Sequence, residues 1–340
     1  ERHDGRLFFN TGRRINNGFI RLGHSVLEFS DRDIIKHYKS FKDYSGAKTL
    51  NKKLINTVYN YKPDLLIFGH ADLIKDNTLS YLKENYKNLK IAQWFLDPLI
   101  KNGPDYEKNK IRVLDKIEYT DGNFITTSPD VLSFLPKNKK CLFMPNPTDP
   151  SFEVLDNFNN DYCSMDVFFA LSHGVHRGVL KKGKYDERAD FVNRLVEITP
   201  NVKFDLYGIN NVQPIWADSF LKSISNAKMG VNLSRGSPIK YYSSDRITQL
   251  IGNGLLTFIH KDTHYNNFFS NDEVIFYSDI NNLSEKIQKY ARDDFQRKKI
   301  AKKGKLKYMK HFNSTQVADF IIKNTFDISY PKNKFMWEEK

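Results

Sequence analysis

The chain has 340 residues, 26 of them Phe and 18 Tyr, and 40% of it is hydrophobic, which excludes disorder and allows two domains with separate cores. Two cysteines, Cys141 and Cys163, without CxxC spacing exclude a disulfide scaffold and a thiolate zinc site and fit a reducing compartment. A formal net charge of +13 favours an anionic partner, without choosing among nucleic acid, lipid head groups and phosphorylated small molecules.

The chain opens with Glu1-Arg2-His3-Asp4-Gly5, neither an initiator Met nor a secretory segment, so a trimmed start is expected. No apolar run reaches the roughly 18 to 20 residues that span a bilayer. Short β-rich runs follow at residues 7–9, 25–29, 65–68, 91–96, 124–126 and 141–144, several of them continuously apolar as parallel strands buried on both faces must be. Helical patterns such as 79–88 and 108–119 alternate with them, which predicts a doubly wound sheet. Three prolines in 144–150 and the Asn-rich stretch 156–162 read as a linker.

Strand runs resume at 166–171, 202–208, 229–234, 255–259 and 274–277, with helices between them, for example 189–198. The expectation is therefore α/β, with two tandem doubly wound, Rossmann-like domains. The first covers 1–149 and the second 150–312. A C-terminal helix and tail occupy 313–340, Ser314 being able to cap a helix whose Val317, Phe320 and Ile321 can pack across both lobes.

In open α/β sheets ligands sit beyond the carboxyl ends of strands. Three strand ends in the second half carry suitable residues: the loop with Gly174, Arg177 and Lys182; Gly208; and the segment Arg235 to Gln249, which includes Ser243, Ser244 and Arg246. Backbone amides near Ser244 beside Arg177, Lys182 and Arg246 would suit a diphosphate. The bland alternative makes Ser244 only a cap, Gly254 only a helix stop and the cations merely solvated.

The ordered set Asp166-Val167-Phe168-Phe169, Asp205-Leu206-Tyr207-Gly208, residues 225–233, Arg246-Ile247-Thr248-Gln249 with Gly254, and residues 285–304 resembles the C-terminal half of the spore-maturation CgeB-like glycosyltransferases, a GT-B group. Upstream, residues 17–26 are similar to the first helix and second strand of such enzymes. The resemblance implies a second lobe that binds a nucleotide-diphosphate sugar of UDP or GDP type, a first lobe that binds a glycan or lipid acceptor, and chemistry in the cleft. Arg177 and Lys182 are similar to the pair that neutralises the diphosphate in related retaining enzymes, with Arg188 as a competitor. Where those enzymes place Glu on the ribose this chain has Gln249, and their other Glu falls near Tyr241 and is absent, which leaves the stereochemistry open. The scheme requires no metal or other cofactor.

On the acceptor side, His70 and Asp97 each follow a strand run, and either can serve as general base in an inverting reaction. Asp97 can alternatively cap a helix begun by Pro98. Asp31-Arg32-Asp33 matches a DxD metal pattern, and His173 with His176, or His260 with His264, invites a zinc reading, but neither supplies a complete ligand set. The basic run 297–310 reads first as a packed helix with a solvated face, and second as a contact with anionic membrane. A cytoplasmic location follows, peripheral at the inner face of the membrane if that contact is made. The rival functions are a non-catalytic nucleotide-sugar or glycan-binding protein and, last, a nucleic-acid binder. No recognised reading motif supports the last, so nucleic acid is not an expected partner.

Overall fold

The computed structural model describes residues 9–171, 175–176, 179–180 and 186–338. The chain divides into two compact units, one formed by residues up to Pro145 with those from Ser314 onward, the other by Asn146–Asn313.

The first unit opens with three helices. In α1, Thr11–Arg21, the Asn10 side chain accepts from the Arg13 amide; α2, Asp31–Tyr38, is capped by Ser30; α3 is Ala47–Tyr61. Then β1 (Leu65–Phe68), α4 (Asp76–Asn85), β2 (Lys90–Phe95), α5 (Tyr106–Leu114), β3 (Gly122–Ile125) and β4 (Cys141–Phe143) alternate. The four strands are parallel in the order β1-β2-β3-β4. Leu50, Leu54 and Val58 of α3 bury against Phe68, Ile91, Leu79 and Leu82, the i, i+4, i+8 stripe of an amphipathic helix closing on a sheet. The expected strand at 7–9 lies almost wholly outside the described residues. Residues 25–29, also expected as a strand, are irregular chain that pairs with no strand among the described residues. Val26 and Leu27 remain exposed, because a β-rich run buries its side chains only where a neighbouring strand and a covering layer exist.

The second unit contains β5 (Met165–Ala170), the short antiparallel pair β6 (Val175–His176) and β7 (Val179–Leu180), α6 (Glu187–Ile198), β8 (Phe204–Tyr207), α7 (Ala217–Ile224), β9 (Ala227–Asn232), α8 (Arg246–Gly252), β10 (Leu256–His260), β11 (Ile275–Tyr277), α9 (Ile280–Arg292) and α10 (Asp294–His311). Its five-stranded parallel sheet runs β11-β10-β9-β5-β8. β8 and β9, the next strands of that sheet, lie on opposite sides of β5, so the winding reverses between β5 and β9. Val167, Met229, Val231, Leu256 and Phe258 fill the core under α9 and α10. The architecture is thus the expected α/β pair of parallel sheets.

The chain leaves the second unit where it entered. The Thr148 amide donates to the Phe312 carbonyl at 2.9 Å, and the Tyr308 hydroxyl to the Asn146 carbonyl at 2.8 Å. The last helix, α11 (Ser314–Thr325), then packs within the first unit against α1. Their approach is so close that a Cβ at Gly18 would collide with the Ser314 carbonyl.

Candidate functional site

The reversal between β5 and β9 is where a parallel sheet opens a crevice beyond its carboxyl ends. Arg246, the first residue of α8, spans it. Its Nη2 donates to the Ala170 carbonyl at the end of β5 (2.9 Å), and its Nη1 to the Leu233 carbonyl just after β9 (2.6 Å) and to Ser244 Oγ (3.3 Å). The guanidinium also lies 4.8 Å from the Phe169 ring centre. Burial, with the neighbouring Arg188 charge, lowers the Arg246 pKa to about 10. Arg246 therefore clamps two strand ends while fixing a positive charge at the switch point.

The chain between β9 and α8 is tied at several points. Ser244 N donates to Ser234 Oγ (3.1 Å), and the buried Ser243 hydroxyl donates to Asn232 Oδ1 (3.1 Å), while its carbonyl accepts from Asn146 Nδ2 (2.8 Å). The Ser244 amide, expected to be available to a phosphate, thus already has a partner. Gly236 N donates to Glu187 Oε1 at 3.1 Å, which fastens the half-buried Arg235–Gly236 segment to the start of α6. Gln249 is half-buried one turn into α8, its amide 3.4 Å from Asp245 Oδ2. Gly208 ends β8 with φ +75°, and a Cβ there would strike the Leu171 carbonyl, so only glycine closes this strand end. Tyr241 is buried and its hydroxyl accepts from Asn267.

Arg188, the competitor for the diphosphate, is buried and bidentate to Asp186, with Nε–Oδ1 at 2.9 Å and Nη2–Oδ2 at 2.7 Å. That pair answers its charge. Gly174, Arg177 and Lys182 lie outside the described residues, as does His173. Sequence reasoning missed Glu187 and Asp186; their signal was an acidic first helical turn, which reads only as capping.

In the first unit the two candidate bases meet. β1 and β2 are parallel neighbours with Phe68 beside Gln93, so residues just beyond their ends converge. His70 Nε2 lies 3.1 Å from Asp97 Oδ2, although the N–H does not point along a hydrogen bond to it. Arg112, from α5, reaches Asp97 Oδ2 (3.7 Å) and Asp72 Oδ2 (2.6 Å). Burial pushes the Asp72 carboxyl up, but the Arg112 hydrogen bond and the charges of Arg112, His70 and Arg32 outweigh it and leave the group below its ordinary range. Asp97 caps no helix: α5 begins at Tyr106, well past Pro98. Arg112 sits on a helix without any motif, and no sequence signal could have found it.

The remaining motifs have local explanations. Asp31 and Asp33 open α2, where Asp33 N donates to Ser30 Oγ and that hydroxyl donates to Asp33 Oδ2. His260 Nδ1 accepts from the Asp262 amide in a tight turn. Among the described residues, no group of three or more His, Cys, Asp or Glu side chains is placed to hold a metal ion, and no helix is long and apolar enough to cross a membrane.

Two parallel-sheet α/β units of this kind constitute the fold of GT-B glycosyltransferases, and solved structures of that class are similar to the chain. TarM superposes with a TM-score of 0.56 at 13% identity, over 83% of this chain and 58% of TarM, so the chain spans less than two thirds of that protein's length. The sucrose-phosphate synthase of Thermosynechococcus elongatus superposes at 0.59 and 12% identity over 94% and 93% of the two chains. Anabaena HepE, in complex with UDP-glucose, superposes at 0.54 and 11% identity over 82% of each. At these identities the likeness establishes the fold. Residues 187–323, which contain α6, the switch-point loop and α8, match the family described as Glycosyl transferase-like. No curated protein matches the chain.

Proposed function

We propose that the protein transfers a sugar from a nucleotide-diphosphate sugar of UDP or GDP type to a glycan or lipid acceptor in the cytoplasm. The observation that carries this reading is the cationic switch point of the second unit, built around Arg246, inside the stretch that matches a glycosyl transferase-like family. The diphosphate would lie beyond β5 and β9, met by Arg177 and Lys182 and by the charge of Arg246, with Arg235 and Ser243 shaping the loop and Gln249 on the ribose. Fixed positive charge can stabilise the leaving diphosphate without a metal. In the inverting form of the reaction, His70 takes the acceptor hydroxyl's proton as its oxygen bonds to the anomeric carbon and the bond from that carbon to the diphosphate breaks. Asp97 orients His70 and stabilises the imidazolium that forms. That HepE and a variant of S. aureus TarM were solved with UDP supports a uridine donor as the first to test.

A non-catalytic sugar-nucleotide-binding reading has one observation in its favour. The position near which related retaining enzymes carry a Glu holds the buried Tyr241, turned into packing against Phe268. A thermal-shift screen of nucleotide sugars followed by a turnover assay separates the two. Stabilisation with turnover supports transfer; stabilisation without turnover on any acceptor supports the binding protein; no stabilisation by any nucleotide sugar overturns both.

A further inference from the structure

Between α2 and α3 the chain makes a two-residue turn. Ser40 N donates to the Asp43 carbonyl at 3.2 Å and Asp43 N to the Ser40 carbonyl at 3.1 Å, which puts Phe41 and Lys42 at the tip. The Asp43 carboxylate faces the start of α3, accepting from the amides of Lys48 (3.3 Å) and Thr49 (2.7 Å). The turn is therefore a built feature held by its own hydrogen bonds. It presents Phe41 wholly to solvent, with Tyr44 88% exposed and Tyr38 50% exposed beside it.

Exposed Lys39 and Lys42 interleave with these rings. From residue 36 to residue 53 there are six lysines and a single carboxylate, that of Asp43, already bound to α3. The conspicuous basic run of α10 differs. There Lys298 pairs with Asp294, Lys303 with Asp272, Lys305 with Asp156 and Lys307 with Glu273, and Arg297 is buried against Asp294. Charge spent on internal partners is poorly available to a ligand, whereas Lys39 and Lys42 stand exposed on either side of Phe41.

We propose that the α2–α3 turn docks the protein on an anionic lipid surface, with Phe41 inserted at the head-group level and Lys39 and Lys42 on lipid phosphates. Aromatic rings and ammonium groups in alternation suit that boundary, where one end of each contact is apolar and the other wet and negative. Nucleic acid fits less well, since single strands are held in cationic grooves with stacking faces, and this element is a protruding tip. The inference does not depend on the glycosyl-transfer reading.

The test is co-sedimentation of the full chain with phosphatidylcholine vesicles, with and without an equal part of phosphatidylglycerol. Binding should require the anionic lipid and fall steeply with salt. Lys39→Ala and Lys42→Ala should each weaken it roughly fivefold, and Phe41→Ser roughly tenfold, with unchanged melting temperatures because these side chains are exposed. Lys299→Ala combined with Lys302→Ala, on α10, should leave binding within about twofold of wild type, since those sites lie outside the turn. The proposal is overturned if anionic vesicles fail to bind, if Phe41→Ser binds like wild type, or if the α10 variant is the one that releases the protein. Binding of single-stranded RNA that needs Phe41, without vesicle binding, would make the turn a nucleic-acid contact instead.

Discussion

Nε2 of His70 stands 3.1 Å from Oδ2 of Asp97, and the same carboxylate oxygen lies 3.7 Å from Nη1 of Arg112. Asp97 is thus shared between an imidazole and a guanidinium, a placement that suits an orienting group. His70→Ala should lower kcat by roughly 10²- to 10⁴-fold, the usual contribution of a positioned base, while leaving nucleotide-sugar affinity unchanged. Asp97→Asn should lower kcat by a smaller factor and also leave that affinity intact. Steady-state kinetics with a direct binding titration checks both, and an undiminished kcat in His70→Ala removes the base assignment.

Arg246 serves two ends at once, and its substitutions should separate them. Arg246→Ala leaves the carbonyls of Ala170 and Leu233 without their guanidinium partner, which should cost about 2 to 5 kcal/mol of stability. It should also weaken nucleotide-diphosphate binding roughly 10- to 100-fold at a temperature where the variant is still folded. Arg246→Lys keeps the charge but cannot span both strands, so it should lose most of that stability and retain more of the affinity. Denaturant unfolding and isothermal titration read the two quantities. If Arg246→Lys binds no better than Arg246→Ala, the charge is not what the nucleotide meets.

Gln249 is one helical turn from Asp245, with its amide 3.4 Å from that carboxylate. Gln249→Glu would set two like charges at i and i+4, at a cost of roughly 0.2 to 0.5 kcal/mol. If residue 249 meets the ribose, the new carboxylate should raise the preference for a ribonucleotide over its 2′,3′-dideoxy analogue, because only the former has hydroxyls to donate. A small loss of stability with an unchanged preference would take Gln249 out of the site.

Lys116 is 1% exposed, and its Nζ has no hydrogen-bond partner. Burial lowers its pKa, with Asp115, Asp72 and Asp76 partly restoring it. The folded state therefore releases this proton at lower pH than the unfolded chain does, so stability gains from Lys116 as pH rises toward the unfolded value of about 10.4. Lys116→Met should be more stable than wild type at pH 7, and its advantage should narrow as the pH approaches that value. Melting temperatures of both proteins from neutral to alkaline pH test the sign; an advantage that widens with pH contradicts it.

Much of the fold was legible in the sequence because parallel strands buried on both faces must be near-continuously apolar, as 65–68, 167–171 and 255–259 are. The same logic placed His70, Asp97, Gly208 and the Arg235–Gln249 segment at strand ends. It failed at 25–29, where the β-rich run predicts a strand but no neighbour covers Val26 and Leu27. What the sequence could not hold was pairing across distance. The meeting of His70 with Asp97 depends on β1 and β2 being neighbours in register, and Arg112 reaches both Asp97 and Asp72 only because α5 lies over that corner. Arg246 reads as a free cation until the reversal between β5 and β9 sets two strand carbonyls within its span. The basic run of α10 reads as a charged face until Asp156, Asp272 and Glu273, distant in sequence, answer its lysines. Local pattern reports what each segment must bury; which charge faces which is decided by sheet order and helix packing, since electrostatic partners are chosen in space.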